Sequence, residues 1–195
     1  MPSLPKPRGD KRQRTRQALI AATLDTIAEA GFAGASLEAI ARRAGVTRGS
    51  IYSNFEGRDE LMMAAVASRG MTLDRDFSQQ MPLEAQLRQF AENLLEQFPA
   101  AAGGGGLVIE FQIYAMSQPR LRTRLASIYE TMFATIAAQF AAQYGDTLAI
   151  SAEALARAVQ ALAMGLVWQF MLTPGAVSRD EVLAAFAALA RGAAR

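Results

Sequence analysis

Two short helical segments joined by a glycine turn, between Ala35 and Leu61, constrain the fold of this chain more than any other feature. Ser36 is suited to cap the first helix, because its hydroxyl can accept a hydrogen bond from a free backbone N–H of the first turn. Gly45 is suited to end it, because glycine adopts a left-handed conformation at little steric cost. Between them, apolar side chains recur at helical spacing: Leu37, Ile40, Ala41 and Ala44. The segment therefore predicts a helix that ends in a tight turn.

The second helix is expected to begin after Thr47 and to continue to about Phe55. Ile51 and Phe55 are four residues apart, so both face inward and leave the opposite face to polar side chains. Arginine can donate twice to a guanine edge, asparagine pairs with an adenine edge, and hydroxyls suit phosphate oxygens. An ordinary helical corner with a solvated outer face has the same spacing, and spacing alone does not separate the two. The outer positions with chemistry suited to DNA are Arg48, Gly49, Ser50, Tyr52, Ser53 and Asn54.

Several further residues between Arg12 and Val66 complete a recognisable combination. They are Arg16, Leu19, Ile20, Gly31, Phe32, Leu37, Ile40, Ala41, Ala44, Gly45, Val46, the run 47–52, Phe55 and the run 59–61. This combination resembles the DNA-binding domain of the TetR (tetracycline-repressor-like) family of transcription regulators. The resemblance implies a homodimer that binds a palindromic operator in double-stranded DNA and responds to a small-molecule effector.

The resemblance also implies a role for each outer residue. Those expected to contact bases or their flanking sugars are Arg48, Gly49, Ser50, Ser53 and Asn54. Those expected to contact phosphates are Thr47, Tyr52 and Arg58. The family usually has a lysine at the start of the fourth helix, and this chain has Arg58 there. The positive charge is retained, with a different hydrogen-bond geometry.

Charge is distributed unevenly along the chain. Residues 1–58 contain ten Lys and Arg against five Asp and Glu, a net charge of +5, and the remainder carries −3. This asymmetry favours a first part that faces nucleic acid and a body that does not. Residues 1–9 contain three prolines and two basic residues, so a disordered basic arm is expected there. The N-terminus lacks the apolar core of a signal peptide, and a cytoplasmic protein is expected.

The chain contains neither cysteine nor histidine. Disulfides, thiolate metal sites and the commonest general base are therefore absent from its chemistry. No catalytic residue, metal ligand or cofactor site is assigned, and an enzyme is not expected. Any turnover would depend on carboxylate, lysine, serine or tyrosine chemistry.

Helical periodicity runs through the whole body, with breaks at proline and glycine and no segment that favours a strand. The predicted fold is all-α with about nine helices. It comprises the arm at 1–9, a helix-turn-helix DNA-binding domain at 10–58 and a helical ligand-binding and dimerisation domain at 59–195. Pro99 is expected to end one helix, and the glycine-rich segment 100–106 is expected to be a flexible connection. It lacks the Lys-Ser/Thr sequence of a phosphate-binding loop.

The segment from Ala152 to Leu172 is apolar on nearly every side. A membrane span is one interpretation, but Gln160, Gln169 and Pro174 interrupt the run of about 20 apolar residues that a span needs. A helix buried on two sides is the other. One side would then face the interior and the other a twofold partner, in a four-helix dimer interface and without a membrane.

The body contains candidates for a largely apolar effector pocket: Phe90, Leu94, Phe111, Tyr114, Tyr129, Phe133, Met164 and Trp168. A packed core is the alternative for each of them. Glu110 can select a cationic ligand or pair with Arg120, Arg122 or Arg124. The main hypothesis is a repressor released from its operator by the ligand. The alternatives are a lipid- or drug-binding protein whose helix-turn-helix is vestigial, and an enzyme.

Overall fold

The computed structural model describes residues 8–69, 76–100, 106–173 and 175–195. Within these ranges the chain forms nine α-helices and no strand, apart from an isolated antiparallel bridge between Leu148 and Ala194. The all-α prediction with about nine helices is confirmed. The helices are α1 (Arg8–Gly34), α2 (Leu37–Arg43), α3 (Arg48–Tyr52), α4 (Arg58–Arg69), α5 (Leu83–Ala100), α6 (Gly106–Met116), α7 (Pro119–Tyr144), α8 (Ala152–Leu172) and α9 (Arg179–Ala193).

The helices divide into two compact units. The first comprises residues 1–70 together with 107–121, and therefore contains α1 to α4 and α6. The second comprises residues 71–106 and 122–195, with α5, most of α7, α8 and α9. The division expected from sequence, between residues 58 and 59, differs from this one because α4 and α6 cluster with the helix-turn-helix.

The first unit is built around the contact between α1 and α4. Its apolar centre includes Leu19, Ile40, Ile51 and Leu61, each of which is 0% exposed. Helix α1 is kinked at Gly31, where φ is 67° and ψ is 174°. A side chain is disfavoured at such a positive φ, so glycine permits the kink. One further helical turn follows the kink and continues to Gly34.

The start of α1 also differs from the expected one. Arg8 and Gly9 are helical, so the predicted disordered arm does not extend to them. The rest of that arm lies outside the described residues. So do residues 101–105 of the glycine-rich segment, while Gly106 begins α6.

An aromatic cluster forms the centre of the second unit. The Phe77 ring lies 5.4 Å from that of Phe90 and 4.8 Å from that of Phe140, and Phe186 meets Phe90 edge-on at 5.6 Å. The backbone of Phe77 is held by α7, because its N–H donates to Gln139 Oε1 at 3.1 Å. The cluster thus joins α5, α7 and α9. Helix α5 continues one residue past Pro99, where the sequence had predicted its end.

Among the described helices, α8 is the one that is long and apolar enough to cross a membrane, judged by length and composition alone. Its buried stripe nevertheless packs within the second unit, against α5 and α9. The stripe consists of Ala152, Leu155, Ala156, Val159, Gln160, Ala163, Leu166 and Val167. Helix α8 is therefore a core helix of the second unit with one buried side and one exposed side, which is called its free side below.

Helix α9 begins with a complete capping box. The hydroxyl of Ser178 accepts from the Glu181 N–H at 3.2 Å, and the Glu181 carboxylate accepts from the Ser178 N–H at 2.8 Å. Ser151 likewise caps α8, where its side chain accepts from the Ala154 N–H. The Ser178 N–H and, at 2.7 Å, the Ser178 hydroxyl both donate to the Glu181 carboxylate and hold the pKa of Glu181 below its ordinary value.

Replacing Ser178 with Ala should therefore lower the free energy of unfolding of the second unit by about 1 kcal/mol. Urea titration followed by circular dichroism measures the loss. Because the folded-state pKa of Glu181 is lowered, its contribution exists above the unfolded-state pKa and disappears as the pH falls through the folded-state value. The difference between the two proteins should therefore shrink in acid. An equal difference at pH 7 and pH 3 would contradict this account of the cap.

Candidate nucleic-acid interface

The turn between α2 and α3 has the geometry that the sequence predicted. Ser36 caps α2, accepting from the Ala39 N–H at 3.1 Å. Gly45 has a φ of 66°, which favours glycine at that position. Ile51 is 0% and Phe55 is 3% exposed, so the underside of α3 is anchored in the first unit. The opposite side of α3 is therefore turned away from the protein core.

Helix α3 is shorter than expected. It ends at Tyr52, whereas the sequence predicted a helix to about Phe55. The N–H groups of Asn54 and Phe55 both donate to the Ile51 carbonyl, at 2.9 Å and 2.8 Å, which tightens the chain after the last regular turn. Ser53 is the C-cap residue. Ser53 and Asn54 thus follow the helix instead of extending its face.

Arg48 and Tyr52 form the exposed outer surface of α3. The Tyr52 residue is 54% exposed, and Arg48 Nη2 donates to its hydroxyl at 3.4 Å. Arg48 also forms an exposed ion pair with Glu38, in which Nη1 lies 2.5 Å from Oε1. The Tyr52 hydrogen bond and the Glu38 charge raise the pKa of Arg48. An exposed, charged fork at the start of α3 is suited to a guanine edge or a phosphate.

The first turn of α3 is held by its own hydroxyl groups. Thr47 is the N-cap, and its Oγ1 accepts from the Ser50 N–H at 3.3 Å. The hydroxyls of Thr47 and Ser50 lie 3.0 Å apart, and Ser53 Oγ donates to the Gly49 carbonyl at 3.0 Å. Thr47, Gly49 and Ser53 are exposed, and Ser50 is half-buried. Exposed hydroxyl groups such as those of Thr47 and Ser53 are of a type that suits phosphate oxygens.

Gly49 offers a direct test of close approach to DNA. A Cβ built there would meet only Thr47 Oγ1, at the ordinary contact distance of 3.7 Å. Gly49→Ala should therefore leave the free energy of unfolding unchanged or raise it by up to about 1 kcal/mol. If the backbone approaches a duplex at this point, the added methyl group should weaken DNA binding about tenfold.

Fluorescence anisotropy with a labelled duplex measures that loss. Gly192→Ala is the matched control, since a Cβ at that position in α9 meets nothing within 4 Å. The control should bind DNA as the parent does. Equal affinity of all three proteins would contradict a close backbone approach at Gly49.

Asn54 is not presented outward in this conformation. Its Nδ2 donates to the Ser50 carbonyl at 2.8 Å, and its Oδ1 is buried without a hydrogen-bond partner. Its backbone carbonyl accepts from Arg16 Nη1 at 3.0 Å, and the Arg16 guanidinium lies 4.2 Å from the centre of the Phe55 ring. The predicted contact of Asn54 with a base would therefore require its side chain to turn.

Arg58 is also directed inward. Its guanidinium donates to the carbonyls of Phe32 and Ala35 and to the Tyr114 hydroxyl. The sequence alone did not reveal these partners, because they come from the end of α1, the following loop and α6. The predicted phosphate contact of Arg58 would require these bonds to break.

The predicted pocket residues fall into separate groups. Phe111 and Tyr114 belong to the first unit, where both rings contact Phe32. Phe90 is 3% exposed in the aromatic centre of the second unit. Tyr129 and Phe133 contact each other at 6.0 Å, and the Arg157 guanidinium lies 4.6 Å from the centre of the Phe133 ring. Leu94 is fully buried, Met164 is half-buried and Trp168 is 44% exposed. The described residues do not show these side chains around one cavity.

Two features of the body, Gln160 and a groove in the second unit, were not singled out as site candidates from the sequence. Gln160 is 7% exposed, and its Nε2 has no hydrogen-bond partner among the described residues. A groove of about 750 Å³ in the second unit is lined by hydroxyl, amide and alanine side chains. Glu110, for which the sequence left open a cationic ligand or an arginine partner, is exposed on α6. The groove residues are Ser78, Gln80, Thr131, Ala134, Thr135, Ala138, Gln139, Ala142 and Gln143.

A capped helix–turn–helix with an exposed, hydroxyl- and arginine-bearing second helix defines a class of DNA-binding protein. Comparison with known protein families indicates the same class of DNA-binding protein. Residues 19–65 match bacterial regulatory proteins of the tetR family, and residues 82–194 match the C-terminal domain of BetI-type transcriptional repressors. The chain belongs to the tetR family of transcriptional regulators and is of the BetI-like repressor type. Both matched families are families of transcriptional regulators.

Individual relatives differ in how much of the chain they match. The regulator SrpR of Pseudomonas putida is 42% identical over 72 residues, which cover 37% of this chain but only 34% of SrpR. BetI of Pseudomonas paraeruginosa is 29% identical over 175 residues, covering 86% of this chain and 87% of BetI. The crystal structure of NalD from Pseudomonas aeruginosa, a repressor of the MexAB-OprM efflux pump, has the same fold. Its TM-score is 0.67 at 22% identity, over 94% of this chain and 98% of NalD.

Proposed function

We propose that this protein is a cytoplasmic, homodimeric repressor that binds a palindromic operator through α3 and releases it when a small, largely apolar ligand binds. The observation that carries the proposal is the exposed outer face of α3 above a fully buried Ile51. Arg48, Gly49 and Ser50 are the proposed base-contacting residues of that face, together with Ser53 and, after its side chain turns, Asn54. Thr47 and Tyr52 are proposed to bind the flanking phosphates.

The dimer is proposed from the free side of α8. Opposite its buried stripe, this helix exposes Ala161, Gly165, Trp168 and Leu172, with Trp168 at 44% and Leu172 at 65% exposed. Large apolar side chains beside small ones allow two helices to approach closely. A twofold pair would present two α3 helices to successive major grooves, and a single α3 of five residues reads too few base pairs for specificity.

The ligand class is proposed from the interior of the second unit. The buried stripe of α8 is apolar except for Gln160, whose Nε2 lacks a partner. An unpaired buried donor is costly, and an acceptor atom on a mostly apolar ligand would satisfy it. By linkage, such a ligand weakens DNA binding by the same factor as DNA weakens ligand binding.

Selection from a random-sequence DNA library tests the function. The full-length protein should enrich duplexes with a twofold-symmetric motif, and their binding should weaken steeply with salt. Apolar compounds that raise the thermal midpoint of the protein should then release the selected duplex. Enrichment of no motif would contradict the operator-binding proposal, and ligand binding without DNA release would contradict the proposed control.

A further inference from the structure

Each nitrogen of the Arg58 guanidinium donates a hydrogen bond inside the first unit. Nε donates to the Ala35 carbonyl at 3.0 Å, Nη1 donates to the Tyr114 hydroxyl at 2.7 Å, and Nη2 donates to the Phe32 carbonyl. Arg58 is the first residue of α4, and Tyr114 lies on α6. One half-buried side chain thus joins α4, α6 and the end of α1.

Aromatic contacts reinforce the same junction. The Tyr114 ring is stacked on Phe32 at 5.6 Å and 21°, and the ring of Phe111 contacts Phe32 at 5.5 Å. The Arg58 guanidinium lies 5.6 Å from the centre of the Tyr114 ring. Phe32 is 6% and Phe111 is 4% exposed, so the apolar side of the junction is buried. Displacing Tyr114 would therefore disturb both a hydrogen bond and a packed aromatic contact.

These bonds compete with a phosphate for the same donors. If Arg58 turned outward, the carbonyls of Phe32 and Ala35 would lose their charged donor in a partly buried place, which is unfavourable. A lysine cannot replace the fork, since its ammonium is a single point and cannot reach three separated oxygens in fixed directions. The local chemistry therefore favours an internal role for Arg58.

We propose that Arg58 and Tyr114 are positioning residues for DNA binding and that Arg58 does not contact a phosphate. The pair holds the start of α4 against α1 and α6, and only five residues separate the end of α3 from the start of α4. This inference rests on the proposed use of α3 to bind DNA. It makes operator affinity depend on Tyr114, a residue of α6 that lies outside the helix-turn-helix.

The test uses the duplex selected by the wild-type protein and three variants, Arg58→Lys, Arg58→Gln and Tyr114→Phe. If Arg58 and Tyr114 position α4, Arg58→Lys and Tyr114→Phe should each weaken binding about tenfold. The double variant with Arg58→Lys and Tyr114→Phe should lose less DNA affinity than the product of the two single-variant factors, because both changes break the same contact. The slope of log affinity against log salt should stay the same in Arg58→Gln, since no phosphate contact is lost.

Tyr144→Phe is the matched control. Its hydroxyl donates to the Met81 carbonyl at 2.6 Å within the second unit, so the change removes a comparable hydrogen bond elsewhere. It should lower thermal stability without altering DNA affinity, measured well below every thermal midpoint. This control separates a loss of position from a general loss of stability.

Three results would overturn the proposal. They are wild-type affinity in Arg58→Lys, wild-type affinity in Tyr114→Phe, and a salt slope reduced by about 0.9 per lost contact in Arg58→Gln. Failure of the wild-type protein to select any duplex would instead contradict the proposed function. In that case the two single variants and the double variant are compared by urea unfolding, which tests the contact between Arg58 and Tyr114 itself. Strictly additive losses in the free energy of unfolding would overturn the proposed contact.

Discussion

Replacing Arg48 with Ala is expected to weaken binding of the selected duplex about 100-fold and to remove base preference at one position in each half-site. The guanidinium lies on the exposed start of α3, where it is 58% exposed and contacts Glu38 and Tyr52. A good two-point contact between arginine and guanine contributes about 1–3 kcal/mol of discrimination, and a symmetric dimer makes it twice. Competition binding with duplexes that carry each base at the affected position measures both effects.

Arg42→Ala is the matched control for charge. Arg42 is an exposed arginine of α2, and we assign it no base contact. Its loss should weaken binding to the selected duplex and to non-specific DNA by the same factor. Arg48→Ala should instead lower the ratio of the affinity for the selected duplex to the affinity for non-specific DNA. If the two variants changed that ratio by the same factor, Arg48 would contribute only charge and the base-contacting role would be contradicted.

Replacing Trp168 with Glu is expected to raise the monomer–dimer dissociation constant about 100-fold or more. Trp168 is 44% exposed on the free side of α8, so a single chain can tolerate a charged side chain there. In a twofold interface the two carboxylates would be brought close together, and each subunit would also lose a large aromatic anchor. Sedimentation equilibrium measures the dissociation constant, and binding of the palindromic duplex should weaken in parallel.

Ile128→Glu serves as the control, because Ile128 is another apolar side chain, 50% exposed, on α7. It should remain dimeric and bind DNA normally. A Trp168→Glu protein that stayed dimeric at the same concentration would contradict the proposed α8 interface. A monomeric variant with unchanged affinity for the palindrome would contradict the need for two α3 helices.

Features determined by local geometry were predictable from the sequence. The caps at Ser36 and Thr47 depend on residues within one helical turn, and both form as expected. Gly45 has the predicted positive φ for the same reason. The buried underside of α3 also followed from a four-residue spacing. These signals lie within a few residues of the feature that they determine.

Features determined by distant parts of the chain were not predictable in the same way. Arg58 was assigned to a phosphate because of its place at the start of α4, but its hydrogen-bond partner Tyr114 is 56 residues away. The apolar residues chosen for a pocket share composition with those of a core, and Phe90 proved to be part of an aromatic cluster. Asn54 has suitable chemistry for a base, yet its side-chain amide donates to the Ser50 carbonyl instead. Residue type and spacing do not specify which partner a polar side chain finds after folding.

We propose that the outer face of α3 enters the major groove of DNA as one of a twofold pair. The native chain contains no cysteine, so Ser53→Cys provides a single attachment point for an iron chelate that cleaves nearby DNA. On the selected duplex, we expect two symmetric cleavage clusters about one helical turn apart, and none from the same chelate at Glu153→Cys on α8. Uniform cleavage, or equal cleavage from both positions, would contradict the account.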